Sequence, residues 1–253
     1  MDDKISLLWR ETFNVRAYEA GPSGQATIQS VCNYLQEAAA NHAHHLGVSA
    51  EILIRQRLTW VLSRFHVRIY KYPFWRQPVV VETWPSDKDS YYALRDFRIF
   101  HAEEEIGVAT SSWMLLNIDL RRPAPLPDLL NEMINTEQGR SLTDAFEKLP
   151  KTENFDRERF FDVRLSDLDM NKHVNNVNYI EWGLESLPAE FTDHYQLRGL
   201  EISYRAESFF GDRVISKNKI ADADGAGSVI HSLVRENDGK ELCRMMTTWR
   251  PKK

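Results

Sequence analysis

Cysteine is scarce in this sequence: Cys32 and Cys243 are the two in 253 residues. A disulfide framework and a cysteine-rich zinc site both need more. The expectation is two buried, inert thiols. No apolar run approaches the roughly 18 residues that span a bilayer. A basic excess is missing too. Thirty-two Lys and Arg stand against 37 Asp and Glu, a formal net charge of -5, which argues against holding nucleic acid by its phosphates. Met1-Asp2-Asp3-Lys4 has no basic segment leading into an apolar run. No signal or transit peptide is expected, and a reducing cytoplasm is the default compartment.

What is present is ordinary for a globular protein: 42% hydrophobic and 27% charged residues. The length leaves one large domain or two small ones open. The charge is unevenly spread. Between Ile52 and Val81 lie Arg55, Arg57, Arg64, Arg68, Lys71 and Arg76, with no Asp or Glu. Solvated strand faces or a landing patch for an acidic partner both fit that stretch.

The chain repeats itself. Phe13-Asn14-Val15-Arg16 recurs as Phe161-Asp162-Val163-Arg164. Asn33-Tyr34-Leu35-Gln36-Glu37 recurs, more loosely, as Asn178-Tyr179-Ile180-Glu181-Trp182. Phe74-Trp75 recurs as Phe209-Phe210, and Ser111-Ser112-Trp113 as Thr247-Thr248-Trp249. The offsets are 148, 145, 135 and 136. Four matches in one order imply a duplicated unit of about 110 to 120 residues.

Each unit reads as a short extended segment, one amphipathic helix, then strands. Val31, Leu35, Ala38, His42 and Leu46 share one helix face, and Val177, Ile180, Leu184 and Leu187 another, which Pro188 ends. Phe65, Val67 and Ile69 alternate with polar residues, as do Ile202 and Tyr204. Asp222-Ala223-Asp224-Gly225 and Asn237-Asp238-Gly239 read as hairpin turns. The Asp222 turn is too short for a calcium loop. Arg121-Arg122-Pro123-Ala124-Pro125-Leu126-Pro127 breaks the pattern. The expected organisation is therefore a first unit over 1–120, a charged, partly helical linker over 121–156, and a second unit over 157–253. One helix and an antiparallel sheet, twice, is α+β: a tandem, or double, hotdog. The chain then builds internally what single-unit proteins build by dimerising.

The densest polar cluster, Asp167-Leu168-Asp169-Met170-Asn171-Lys172-His173-Val174-Asn175-Asn176, lies just before the second helix. On an extended backbone Asp169, Asn171 and His173 point to one side, about 7 Å apart. On a helix they fan over about 200°. An extended lead-in to His173, with Asn175 as N-cap, is the arrangement that lets them act together. A helix start also offers free N–H groups to a developing oxyanion. Plain capping and turn chemistry explains Asp and Asn there equally well. Against that, Gly24-Gln25-Ala26-Thr27-Ile28-Gln29-Ser30 in the first half has no Asp, Asn or His.

The run from Asp167 to Trp182, with Glu185-Ser186-Leu187-Pro188, resembles the signature of acyl-acyl carrier protein (acyl-ACP) thioesterases. Leu200-Glu201-Ile202-Ser203-Tyr204-Arg205-Ala206-Glu207-Ser208 resembles a strand of that family. The resemblance implies hydrolysis of fatty acyl-ACP, with no cofactor. It places the catalytic set on Asp169, Asn171, His173 and Glu207. The cysteine beside the family's acidic residue is replaced here by Ser208, so a cysteine nucleophile is excluded at this position. A serine would need an activating base. The resemblance also implies that the first unit selects the acyl chain, and the helix face of Val31, Leu35, Ala38, Ala39 and His42 is the candidate lining of its tunnel.

The partner so implied is acyl carrier protein, with no nucleic acid and no membrane span, in a monomer or homodimer. An acyl-coenzyme A thioesterase, a hotdog dehydratase and a non-catalytic acyl-binding protein remain open alternatives. His42, His44 and His45 do not share one helix face and make no metal site.

Overall fold

The computed structural model describes residues 6–144, 146–221 and 227–252. The Asp222–Gly225 turn expected from sequence lies outside them. The chain divides into two compact units. The first comprises Met1–Ser63 with Ile69–Ala145, the second Arg64–Arg68 with Phe146–Lys253.

In the first unit, β1 (Trp9–Asn14), β3 (Pro78–Lys88), β4 (Tyr92–His101) and β5 (Glu104–Asn117) pair antiparallel in that order. β2 (Leu58–Ile69) is neighbour to β5. α1 (Ile28–His45) packs on β1 and β3. Thr27 starts it by accepting the Ser30 N–H at 3.2 Å, and Gly47, at φ 74, follows its end. A short α2 (Ala50–Leu53) follows. The buried face of α1 includes Val31, Cys32, Leu35, Ala38, Ala39 and His42.

In the second unit, β7 (Arg157–Asp162), β9 (Arg213–Ala221), β10 (Ser228–Arg235), β11 (Glu241–Pro251) and β8 (Tyr195–Tyr204) pair antiparallel in that spatial order. The Arg64–Arg68 segment of β2 pairs with β8. α3 (Asn176–Glu185) packs on β9, β10 and β11. Gly183 makes the approach close: a Cβ there would run into the Met245 methyl. Each unit is thus one main helix on one face of an antiparallel sheet, the expected α+β hotdog arrangement. The Asn237-Asp238-Gly239 hairpin turn joins β10 to β11, with Gly239 at φ 67.

Two expectations need correction. The helix repeat is offset by 148, not 145. Phe13 stacks on Tyr34 at 4.8 Å, and Phe161 stacks on Trp182, not Tyr179, in the matching way, at 5.8 Å. An amphipathic helix resembles itself when slid by about one turn, so sequence alone mis-registers it. Second, α3 ends at Glu185, and Pro188 caps a further short helix, α4 (Ala189–His194), that the sequence reading missed. Proline both stops one helix and suits the start of the next.

The basic stretch keeps Arg55, Arg57, Lys71 and Arg76 exposed. Arg57 pairs with Asp119, and Lys71 with Glu104 at 2.6 Å. Arg76 lies over the Trp75 ring, and Arg64 donates to the carbonyls of Phe146 and Glu147. The acidic partners, Asp119 and Glu104, are remote in sequence, so a composition window does not see them.

The stretch from Arg121 to Asp156 forms no α-helix among the described residues. Arg122–Ala124 adds a short β6 to β5, and Asp128–Asn131 forms a 3-10 turn. Leu126, Leu130 and Met133 bury against Leu46, Val48, Leu53 and Leu115.

Two histidines lie wholly inside. His42 Nδ1 faces Arg95 Nη1 at 2.9 Å, and Nε2 faces the Ser6 carbonyl at 3.1 Å. A guanidinium can only donate, so Nδ1 accepts and Nε2 carries the proton. Burial, aided by the Arg95 charge, holds His42 down at about 3. Burial alone puts His231 at about 3 as well. Between the usual 6.5 and about 3 the unfolded chain binds the extra protons. Stability is therefore intact above pH 6.5 and falls below it, by up to about 1.4 kcal/mol per pH unit for each ring. Thermal unfolding followed from about pH 7 to about pH 5 should show that fall, and His42→Gln should flatten it. An unchanged slope in the variant would contradict this account.

Candidate active site

The residues singled out before α3 do meet, but not on an extended strand. After a 3-10 turn at Leu165–Asp167, the chain folds into a tight loop. Asp169 N–H donates to the His173 carbonyl at 2.8 Å, and Lys172 N–H to the Asp169 carbonyl at 3.0 Å. Leu168 and Val174 bridge at its base. Lys172 adopts φ 64 to close it, a left-handed conformation that disfavours a side chain. The extended lead-in is thus corrected. Asp169 and His173 are brought together by a turn, which the i, i+2, i+4 spacing does not reveal.

The Asp169 carboxylate organises this loop. Its Oδ1 accepts the N–H of Asn171 at 2.8 Å and of His173 at 3.1 Å. Asn175 caps α3, accepting the Val177 N–H at 3.0 Å. That uses one of the helix-start donors expected for an oxyanion, and the Asn175 carbonyl takes Asn178 N–H. Asn171 is exposed, and among the described residues its side-chain amide has no hydrogen-bond partner.

Glu207 arrives from the other side. Its Oε1 lies 3.4 Å from His173 Nδ1, and both side chains are about one-third exposed. The Val174 N–H donates to the Ser208 carbonyl at 3.0 Å, tying the two segments. The Phe209 ring meets the His173 ring edge-on at 5.1 Å. Ser208 is fully buried, and its hydroxyl donates to Asp212 Oδ2 at 3.0 Å.

The first unit contains the same loop without this chemistry. Gly21 N–H donates to the Gln25 carbonyl at 2.9 Å, and Gly24 N–H to the Gly21 carbonyl at 2.9 Å. Ala20 and Ala26 bridge, and Gly24 has φ 75. The Thr27 N–H finds the Glu19 carbonyl as Asn175 N–H finds that of Asp167, both at 2.9 Å. Gly21, Ser23 and Gln25 thus stand where Asp169, Asn171 and His173 stand. The true counterpart of the Asp169–His173 loop begins three residues before the Gly24–Ser30 stretch expected from sequence. Tyr72 takes the place of Glu207 in the matching turn. The first unit reaches the same loop shape without Asp, Asn or His in these places.

Val31, Leu35, Ala38 and Ala39 gather on the buried face of α1, with His42 one turn further. Both cysteines are free and buried, and burial pushes both thiols up, away from reactivity. Asp212 and Arg235 were not found from sequence. Arg235 Nη1 donates to the Glu207 carbonyl at 3.2 Å and lies 3.7 Å from Asp212. An arginine before an Asn-Asp-Gly turn gives no signal of that.

Comparison with known proteins identifies the family. Residues 6–134 match the acyl-ACP thioesterase N-terminal domain, and residues 150–251 its C-terminal domain. The chain is 33% identical to oleoyl-acyl carrier protein thioesterase 1, chloroplastic, of Arabidopsis thaliana, over 97% of this chain and 77% of that one. The 12:0-ACP thioesterase from Umbellularia californica superposes with a TM-score of 0.88 at 29% identity, covering 98% of this chain and 95% of that one. An acyl-ACP thioesterase from Bacteroides thetaiotaomicron shares the fold, with a TM-score of 0.85 at 23% identity and 96% and 98% of the two chains covered. With both of its domain families matched along nearly its whole length, the chain belongs to the acyl-ACP thioesterases.

Proposed function

We propose that the Asp169–His173 loop and Glu207 hydrolyse the thioester of a fatty acyl-ACP by direct attack of water. The overall reaction releases a free fatty acid and the carrier thiol, and so ends chain elongation in fatty acid synthesis. Glu207 takes a proton from water as its oxygen adds to the thioester carbonyl. The resulting oxyanion is met by the Asn171 amide. Collapse of that intermediate expels the phosphopantetheine sulfur, which recovers the proton from Glu207. His173, 3.4 Å from Glu207, shares the water and holds its line of approach. Asp169 fixes Asn171 and His173 through their backbone N–H groups.

One observation carries this reading. The first unit builds the same loop from Gly21-Pro22-Ser23-Gly24-Gln25, which supports reading the polar set of the second as chemistry rather than scaffold. A covalent route through Ser208 lacks geometry. Its hydroxyl is buried and spent on Asp212. A Ser208→Ala variant is expected to keep turnover within about tenfold and to lose about 0.5–1.5 kcal/mol of stability. A folded but inactive variant would revive the nucleophile.

The first unit, in this reading, holds the acyl chain along Val31, Leu35, Ala38 and Ala39. Each methylene accommodated is worth about 0.8 kcal/mol of apolar burial. The two free, buried thiols fit a reducing compartment such as the cytoplasm. No described helix is long and apolar enough to cross a membrane. Thiol release from acyl-ACP and acyl-coenzyme A carrying the same chain tests the carrier preference. Faster hydrolysis of the coenzyme A thioester would overturn it.

A further inference from the structure

Residues 205–212 run between β8 and β9 outside both strands, so no sheet ladder fixes Glu207. Backbone bonds hold its neighbours, Ala206 N–H to the Leu242 carbonyl at 3.1 Å and Val174 N–H to the Ser208 carbonyl at 3.0 Å, and a charged clamp takes the Glu207 carbonyl itself. Arg235, at the end of β10, donates from Nη1 to the Glu207 carbonyl at 3.2 Å. The same nitrogen lies 3.7 Å from Asp212 Oδ2. Asp212 Oδ2 in turn accepts the Ser208 hydroxyl at 3.0 Å and the Phe209 N–H at 2.9 Å. The other edge of the guanidinium forks onto Asp238 at 3.1 and 2.7 Å. Arg235 and Asp212 side chains are 15% and 16% exposed, so the pair is largely shielded from water, where charge-assisted bonds are strong. One arginine thus grips the main chain of Glu207 and the turn whose Phe209 ring packs on His173.

The first unit shows that the turn itself does not need this charge. There Gln77 Oε1 accepts the Phe74 N–H at 2.8 Å, as Asp212 accepts that of Phe209. The return bonds match as well: Gln77 N–H to the Phe74 carbonyl at 3.0 Å, and Asp212 N–H to that of Phe209 at 3.1 Å. Pro73 stands for Ser208 and Tyr72 for Glu207. At the matching end of β4, His101 bonds the Pro78 carbonyl instead. A neutral amide closes the turn where no carboxylate has to be aimed.

We propose that Arg235 and Asp212 are a positioning pair that sets the Glu207 carboxylate against His173 and the attacking water. The proposal rests on the reading of Glu207 as general base. Misplacing a catalytic group by about 1 Å costs on the order of 10²-fold. Arg235→Met should lower kcat on acyl-ACP by about 10- to 100-fold and leave KM within about twofold. Because Arg235 acts through Glu207, adding Arg235→Met to Glu207→Gln should lower kcat no further. A wild-type kcat in Arg235→Met, or an equal loss in both backgrounds, overturns the clamp. If Arg235→Met does not fold, Asp212→Asn keeps both acceptor contacts and removes the charge, with the same expectations and the same overturning results. Full activity in Glu207→Gln sinks the general-base reading, and the clamp with it. An inactive Glu207→Gln beside a fully active Arg235→Met sinks the clamp alone.

Discussion

Turnover of a Glu207→Gln variant on acyl-ACP should fall by about 10²–10⁴-fold. The amide matches the carboxylate in shape and cannot take a proton from water. The side chain is about one-third exposed and sits 3.4 Å from His173 Nδ1, so the change leaves no buried charge behind. Unfolding temperature and KM should therefore stay near wild type while kcat collapses. That split separates a lost base from a lost binding contact, because removing uniform binding raises KM and spares kcat. Full activity in the variant would remove Glu207 from the chemistry.

The second large effect belongs to Asn171→Ala, with an expected loss of about 10²–10³-fold in kcat. The Asn171 side chain is exposed and has no hydrogen-bond partner among the described residues, so the fold does not use it. Its backbone bond to Asp169 survives the substitution. Stability should move by no more than about 0.5 kcal/mol. A donor that meets charge only as the tetrahedral intermediate forms shows up in kcat. Wild-type turnover in Asn171→Ala would assign the oxyanion to other donors.

Much of the fold can be read from local pattern. Thr27 and Asn175 cap their helices as their residue types require. The alternation of Phe65, Val67 and Ile69 is a buried strand face. The Ser111–Trp113 and Thr247–Trp249 repeat is a matched bond, indole Nε1 to hydroxyl at 2.8 Å in both units. What failed is what depends on distant partners or on unusual backbone. The loop at Lys172 turns through a left-handed conformation that its sequence does not advertise, whereas Gly24 in the first unit does. The candidate site residues were nameable because Asp169, Asn171 and His173 are close in sequence. Arg235, 28 residues beyond Glu207, reaches it through the order of strands in the sheet.

The central claim is that water attacks the thioester directly, with no acyl group passing through the protein. A single turnover of acyl-ACP in water enriched in oxygen-18, followed by mass analysis of fatty acid and protein, tests it. The account predicts one heavy oxygen in the fatty acid, an unlabelled Glu207 and no acylated protein at any time. An acyl adduct on Ser208 or Glu207, or heavy oxygen in the Glu207 carboxylate, would contradict it.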